Sequence, residues 1–429
     1  MEKESRRMVY ATPALSPADQ HVLAQIDTLR HELQFYLRVP RRWYDTLRRA
    51  TFARAVQGSN SIEGYHASVE DVAAVLEGER PVNVDEETRH AIAGYRDAMT
   101  YVLQLAPTEP VIDASLVRSL HFMMMKYDLS KHPGQYRPGA VWVQNSDGDA
   151  VYQAPDRSEV DALVAELLDQ LTDNDTAPLV AAAMAHLNLT LIHPFSDGNG
   201  RLARCLQTFV LARDGVLAPE FSSIEEYLSR NTAAYYAVLA EVAQGAWSPQ
   251  RDAGPWIEFC LTAHHRQAST LLRRIQEAEA LWDQSEQLVA RHGLPDRVVA
   301  AVCDAARGWR LRRSLYMKIS RSAIGDEISD AMATRDLSAM AKAGLIEGIG
   351  EKRGRYYIAT PTLRAVWDVI RTARPVQPVG DPYLTAREQP RLPGISCGRR
   401  GAHRDRRPRL RGQEGREGRA ASVPPGRPR

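Results

Sequence analysis

Four cysteines in 429 residues, at positions 205, 260, 303 and 397, form no CxxC pair and no regular spacing. That excludes a thiolate zinc cluster and a disulfide framework, and it fits a reducing compartment. Long apolar runs are missing too. The most apolar stretch, 179–192, is too short to span a bilayer and carries His186 and Asn188, while the opening MEKESRRMVYATPALSP holds no apolar secretion segment. Neither export nor membrane contact is expected, and the chain reads as cytoplasmic. Excess charge is also lacking. Lys and Arg number 55 against 53 Asp and Glu, a net charge of +2; 44% hydrophobic and 25% charged residues are ordinary proportions for a soluble protein with room for two or three cores.

The small net charge conceals a split. Residues 396–429 hold eleven arginines against Asp405, Glu414 and Glu417, a surplus of eight, which leaves residues 1–395 at minus six. An Arg/Gly/Pro-rich segment with few large apolar side chains cannot offset its ordering entropy, so 372–429 is expected to be a disordered tail. Two readings of the tail stand: a nucleic-acid-binding arm, or a dispensable C-terminus such as a reading-frame change would leave.

From 14 to 370 the chain reads as mainly α. Val180, Ala183, Met184, Leu187 and Leu191 follow the 3.6-residue period, as do Val160, Leu163, Val164, Leu167, Leu168 and Leu171, which predicts two core helices. One interruption is β-prone. Residues 140–145 and 150–154 flank Ser146-Asp147-Gly148-Asp149, a hairpin turn signal, and periodicity does not say whether this hairpin is a binding flap or a connection.

Chemistry concentrates in His193-Pro194-Phe195-Ser196-Asp197-Gly198-Asn199-Gly200-Arg201-Leu202-Ala203-Arg204. Pro194 ends the helix over 178–192 and holds His193 at its terminus. Gly198 and Gly200 permit backbone shapes closed to other residues, and they lead into a second helix with apolar positions Leu202, Leu206, Phe209 and Val210. The free N–H groups of its first turn form an anion site suited to phosphate, and the helical wheel turns Arg201 and Arg204 away from the apolar side towards that anion. Asp197 beside it is the hard carboxylate that Mg²⁺ prefers when it also holds phosphate oxygens. Taken singly, these residues also read as caps, a tight turn and a solvated face. Together they specify phosphate-ester chemistry, with His193 as general base.

Position for position, HPFSDGNGRLAR resembles the signature of the Fic (Fido-domain) family, and the adjacent helices and hairpin extend the resemblance over about residues 111–263. Fic proteins are mostly adenylyltransferases that move AMP from ATP to a hydroxyl side chain of a target protein. The resemblance implies that His193 deprotonates a target Ser, Thr or Tyr, that Asp197 holds Mg²⁺ on the α- and β-phosphates, and that Gly198, Asn199 and Gly200 form the anion hole. Arg201 and Arg204 would bind the outer phosphates, and the hairpin at 140–154 would be a flap that registers the target by strand pairing. Gly200 agrees with AMP transfer, since relatives that phosphorylate their targets depart from the pattern there.

Upstream, Ser59-Asn60-Ser61-Ile62-Glu63-Gly64 looks like the family's inhibitory (S/T)xxxE(G/N) motif. It implies that Glu63 pairs with Arg204 and blocks the productive pose of the γ-phosphate, delivered by an inhibitory helix at about 50–66 within an N-terminal helical region, 1–110. After the catalytic domain at 111–263, residues 264–293 read as a helical connector and 294–360 resemble a winged helix-turn-helix domain. That last segment holds twelve Lys or Arg against eight Asp or Glu, and Thr334, Arg335, Lys342, Lys352, Arg353 and Arg355 are its candidate DNA contacts. Two functions follow from these readings. One is a self-inhibited protein adenylyltransferase whose partners are ATP and a protein target, the chain itself included. The other is a DNA-binding transcriptional regulator whose Fic core only binds nucleotide. A homodimer is compatible with either.

Overall fold

Capping residues and prolines mark where the helices of this chain begin. The computed structural model describes residues 8–39, 41–108, 110–144, 148–172, 176–213, 215–324, 327–351, 355–374 and 380–384. Ser16 opens α1 (Pro17–Arg38) with a capping box, accepting the Asp19 N–H while Asp19 accepts the Ser16 N–H, and Pro17 sits at the first position. Next come α2 (Tyr44–Ile62), α3 (Val69–Leu76) capped by Ser68, α4 (Glu86–Leu105) capped by Asp85, and α5 (Ala114–Met125) capped by Asp113. The hairpin consists of β1 (Trp142–Gln144) and β2 (Ala150–Gln153), antiparallel, with Val143 opposite Tyr152. Its expected turn residues Ser146 and Asp147 lie outside the described residues.

Beyond the hairpin run α6 (Val160–Gln170), α7 (Pro178–Ile192), α8 (Asn199–Arg213), α9 (Pro219–Ser222), α10 (Glu225–Arg230) and α11 (Thr232–Ala243). A 38-residue α12 (Gly254–Arg291) leads to α13 (Val299–Ala306), α14 (Arg313–Ile324), α15 (Asp330–Lys342), the antiparallel pair β3 (Ile346–Ile349) and β4 (Tyr356–Ala359), and α16 (Pro361–Thr372).

Two apolar cores organise these elements. In the first, α7 and α8 lie at the centre, enclosed by α2, α4, α5, α6, α11 and the start of α12. The second gathers the later half of α12 with α13–α16. Three helices belong to both. Within α2, Leu47 packs into the second core and Ala53, Val56 and Ile62 into the first; α1 and α12 divide in the same way. The domain edge expected at 263 therefore falls inside an unbroken helix. Residues 264–291 are no loose connector either, since Leu271, Ile275, Leu281 and Trp282 are buried. The N-terminal arm is pinned as well: the Tyr10 N–H donates to Asn188 Oδ1 at 2.9 Å and Asn188 Nδ2 returns a bond to Tyr10 O, which explains a buried Asn in an apolar helix.

Three basic residues of the C-terminal segment serve this packing. Arg310 pairs with Asp71 at 2.8 Å, Arg312 with Glu79 at 3.0 Å and Lys318 with Glu77 at 3.3 Å, all three carboxylates lying in or just after α3. Arg49 of α2 reaches Asp304 at 2.6 Å. Thr334, Arg335, Lys342 and Arg355 are exposed, whereas Lys352 and Arg353 lie outside the described residues. The composition-based tail begins too early at 372, because Arg374 holds Glu277 at 2.6 Å and the buried Tyr383 donates to Asp19 at 2.7 Å.

Gly58 is where α2 touches α10. A methyl there would lie 2.7 Å from Glu225 O and 3.0 Å from Glu226 Cα, backbone that cannot swing aside. Glycine to alanine inside a helix otherwise gains about 0.5–1 kcal/mol, but overpacking costs roughly 1–3 kcal/mol. Gly58→Ala should therefore lower stability by about 1–2 kcal/mol in urea unfolding; an unchanged midpoint would mean that α2 is not held this closely.

Candidate active site

The turn between α7 and α8 begins at His193, whose backbone is left-handed (φ 50°, ψ 57°) and ends α7 where Pro194 forbids another turn. Few non-glycine residues adopt that conformation without support. Arg137 supplies it. Fully buried, its guanidinium donates to His193 O at 2.9 Å, Gly139 O at 2.6 Å and Pro155 O at 2.5 Å, and its own N–H meets Pro194 O at 2.9 Å. One side chain thus ties both ends of the hairpin to the histidine loop. Tyr152 adds a second tie, its hydroxyl donating to Leu191 O at 2.7 Å.

The His193 ring is half-buried, with Nδ1 3.2 Å from Thr190 O. A carbonyl only accepts, so Nδ1 carries the proton and Nε2 keeps its lone pair. Burial pushes the pKa of this histidine below the usual value, and the Thr190 bond and the Glu63 charge oppose that shift without reversing it. At neutral pH the ring is an uncharged acceptor.

A second histidine lies beneath the turn. His121 accepts the Gly134 N–H at Nδ1 (2.8 Å), so its Nε2 must donate to Asp197 O (2.9 Å), and its ring stacks on Phe195 with centroids 3.7 Å apart. Burial lowers its pKa to about 4, which keeps the neutral tautomer that fits both contacts. Gly198 is obligatory above it: φ is 77°, and a Cβ would meet Met125 Sδ at 3.0 Å. Asn199 acts differently from expectation. Its amide accepts the Phe195 N–H and donates to Phe195 O, both at 2.9 Å, so the side chain clamps the turn and leaves only its backbone N–H to an anion.

The N–H groups of Asn199, Gly200 and Arg201 open α8 and have no carbonyl one turn back within the helix; the first such bond is Leu202 N–H to Gly198 O. Beside them stand two buried guanidinium groups. The helical wheel assigned these arginines to an open face, but α8 is packed on all sides and Arg201 and Arg204 are each 1% exposed. Arg201 contacts Met125 Sδ at 2.9 Å and stacks on Tyr65, while its Nε and NH1 have no hydrogen-bond partner. Unpaired buried donors of this kind are costly and mark a place for an anion.

Arg204 is already engaged. Ser59 Oγ accepts its Nε–H and Ser59 O its NH2, both at 2.9 Å, and NH2 also donates to Glu63 Oε1 at 2.7 Å. Burial works against this charge, but Glu63, with Tyr235 and Tyr95, raises its pKa above the ordinary arginine value; NH1 has no partner. The upstream motif now has a mechanical reading. Ser59 and Glu63 are one helical turn apart and reach the same guanidinium, and Gly64 (φ 86°) ends α2 in a Schellman turn, with Tyr65 N–H on Asn60 O and Gly64 N–H on Ser61 O. The turn delivers Tyr65 to Arg201. A methyl on Gly200 would collide with Glu63 Oε1, so that carboxylate fills the space over the α8 terminus.

Asp197 accepts the Gly198 N–H at 2.6 Å through Oδ1 and lies 3.6 Å from Lys131 Nζ through Oδ2. Among the described residues no group of three or more His, Cys, Asp or Glu side chains is placed to hold a metal ion. Arg137, His121 and Lys131 were not found from sequence. They lie 56–76 residues from His193 and Asp197, the residues of the turn that they touch, and no local pattern announces such contacts.

A family model described as Fic/DOC family matches residues 111–211, from just before α5 into α8 and short of the 263 expected. A curated "Protein adenylyltransferase Fic" of Nematostella vectensis is 28% identical over 212 residues, covering 48% of this chain and 48% of its own. "Protein adenylyltransferase fic-1" of Caenorhabditis elegans is 28% identical over 234 residues, 52% of this chain and 44% of its own. The chain spans about half the length of the curated relatives it matches. A solved Fic family protein from Desulfovibrio desulfuricans G20 covers 82% of this chain and 98% of its own with a TM-score of 0.53 and 24% identity, a likeness of fold. The matched segment contains the whole HPFSDGNGRLAR turn in the geometry above, so it is residues 111–211 that are similar to the Fic/DOC family.

Proposed function

We propose that this protein transfers AMP from ATP to a hydroxyl side chain of a target protein, with His193 as general base and Glu63 as a built-in inhibitor. The observation that carries the reading is a neutral His193, proton on Nδ1, on a turn that also presents free α8 N–H groups and the unpaired donors of Arg201. His193 Nε2 takes the proton from the target hydroxyl. Its oxygen bonds to the α-phosphorus, the bond from that phosphorus to the bridging oxygen of the β-phosphate breaks, and pyrophosphate leaves. Such a base contributes roughly 10²–10⁴-fold, and the N–H groups with Arg201 stabilise charge gathering on the phosphate oxygens.

Asp197 fits Mg²⁺ in the way that ion is commonly held, by one carboxylate with the remaining positions given to phosphate oxygens and water. Bound there, the metal would neutralise phosphate charge; Lys131 Nζ lies 3.6 Å from that carboxylate. Glu63 inhibits by occupying Arg204 and the space over Gly200, where an outer phosphate would otherwise bind. The hairpin presents the target, since Arg137 fixes it to the loop that carries the base.

Residues 294–360 are read as a winged helix from the order of three helices and a hairpin. For the regulator alternative Thr334, Arg335, Lys342 and Arg355 are exposed, but Arg310, Arg312 and Lys318 of the same segment are occupied by α3 and its exit. Incubation with ATP labelled at the α-phosphate and Mg²⁺ separates the two. Label on protein should rise about tenfold or more in Glu63→Gly, as loss of a competitor worth at least roughly 1.4 kcal/mol implies, and vanish in His193→Ala. No label in any variant, with tight binding to promoter DNA, would favour the regulator.

The base role also predicts a titration. Folding favours neutral His193, so its contribution to stability is present above the free-histidine pKa and is lost as pH falls below it. Nitrogen-15 spectra at pH 7 should find His193 neutral with Nδ1 protonated, with a midpoint below 6.5, the reference value. A proton on Nε2 would remove the base from this scheme.

A further inference from the structure

A cavity of about 260 Å³ lies on the side of α2 away from the catalytic turn, where α2, α12 and α16 meet. Arg54 of α2, Arg230 of α10, Arg273 and Arg274 of α12, Arg307 after α13, Arg371 of α16 and Arg374 just beyond it line it. Carboxylates are too few to match them. Glu226 takes Arg274 through two bonds of 2.6 Å and Arg230 at 2.7 Å. Glu277 takes Arg374 at 2.6 Å and Arg273 at 3.6 Å, Asp304 is held by Arg49 and stands 3.9 Å from Arg307, and Glu70 also faces the space. Among the described residues, Arg54 and Arg371 have neither an ion pair nor a hydrogen bond.

Two buried donors stand near a carboxylate without making a hydrogen bond: Arg307 NH1, 3.9 Å from Asp304 Oδ1 on a side chain 7% exposed, and Arg273 Nε, 3.6 Å from Glu277 Oε1. Burial, with Arg274, Arg230 and Arg307 nearby, brings the Arg54 pKa down to about 10, as expected of a guanidinium surrounded by its own kind. Natural folds do not gather like charges in a concave, half-enclosed space without a counter-charge. The cavity suits a short chain of phosphates gripped by several guanidinium forks and is too small for a duplex.

We propose that this cavity is a second anion site, taking a small ligand with two or three linked phosphates, distinct from the α8 terminus. Arg54 and Glu63 are nine residues apart on one helix, so at ~100° per residue they lie on nearly opposite sides of it. A ligand here braces α2 from behind, against α12 and α16, in the position that brings Glu63 to Arg204. The site does not depend on the transferase reading, and its test involves no turnover.

Calorimetric titration of the full chain with tripolyphosphate, without divalent cations, is the experiment. Arg371 is exposed and unpaired, so Arg371→Glu should keep the wild-type circular dichroism and melting curve; Arg54→Gln is the second variant. One binding event should weaken by about tenfold or more in both, through lost guanidinium contacts, and be recovered in Arg371→Lys. Absence of binding in the wild type, or affinity unchanged in both variants, overturns the proposal. Comparing ADP with pyrophosphate identifies the source: tighter ADP binding means a nucleotide, and equal binding means the phosphate chain alone.

Discussion

The guanidinium of Arg204 is removed from water at the centre of the first core, and much of the remaining structure follows from that. A buried cation needs an anion and several acceptors, or its desolvation is uncompensated. Ser59 and Glu63 meet that need only if α2 lies flat on α8, and α2 lies flat only because Gly58 lets it touch the α10 backbone. The same helix carries Leu47 into the second core. One buried charge is therefore satisfied by an element that both cores hold in place.

A second constraint concerns the backbone. The turn from His193 to Gly198 has a left-handed residue at each end, and it is held by groups that take part in no bond making: Arg137 on its carbonyls, Asn199 on Phe195, and His121 on Asp197 O. Each spends a full side chain on main-chain atoms. The half-buried His193 ring and Asp197 carboxylate are then held in fixed positions on a rigid loop.

Much of the site was legible because its signals are local. Pro194 after an apolar helical run placed His193 at a terminus, while Glu63 was singled out by the resemblance of residues 59–64 to the family's inhibitory motif. What depended on the rest of the chain was not legible. The helical wheel gave α8 an open side, and no periodicity within 199–213 could reveal that α2 and α5 cover it. The part of the basic surplus of 294–358 that packing takes up was hidden, since the carboxylates that occupy Arg310, Arg312 and Lys318 lie more than 230 residues away. The α12 boundary could have been avoided. Between Pro255 and Gly293 there is neither proline nor glycine, so nothing in the sequence asks that helix to stop at 263.

At 1.5 Å per residue, α12 is a rod of about 57 Å, and it lends apolar side chains to one core along its first third and to the other along the rest. Neither core can lose its share of that rod without exposing the other's. Heat or denaturant should meet a single cooperative transition in place of two, and a gene cut between the apparent modules would yield two fragments that each lack a wall.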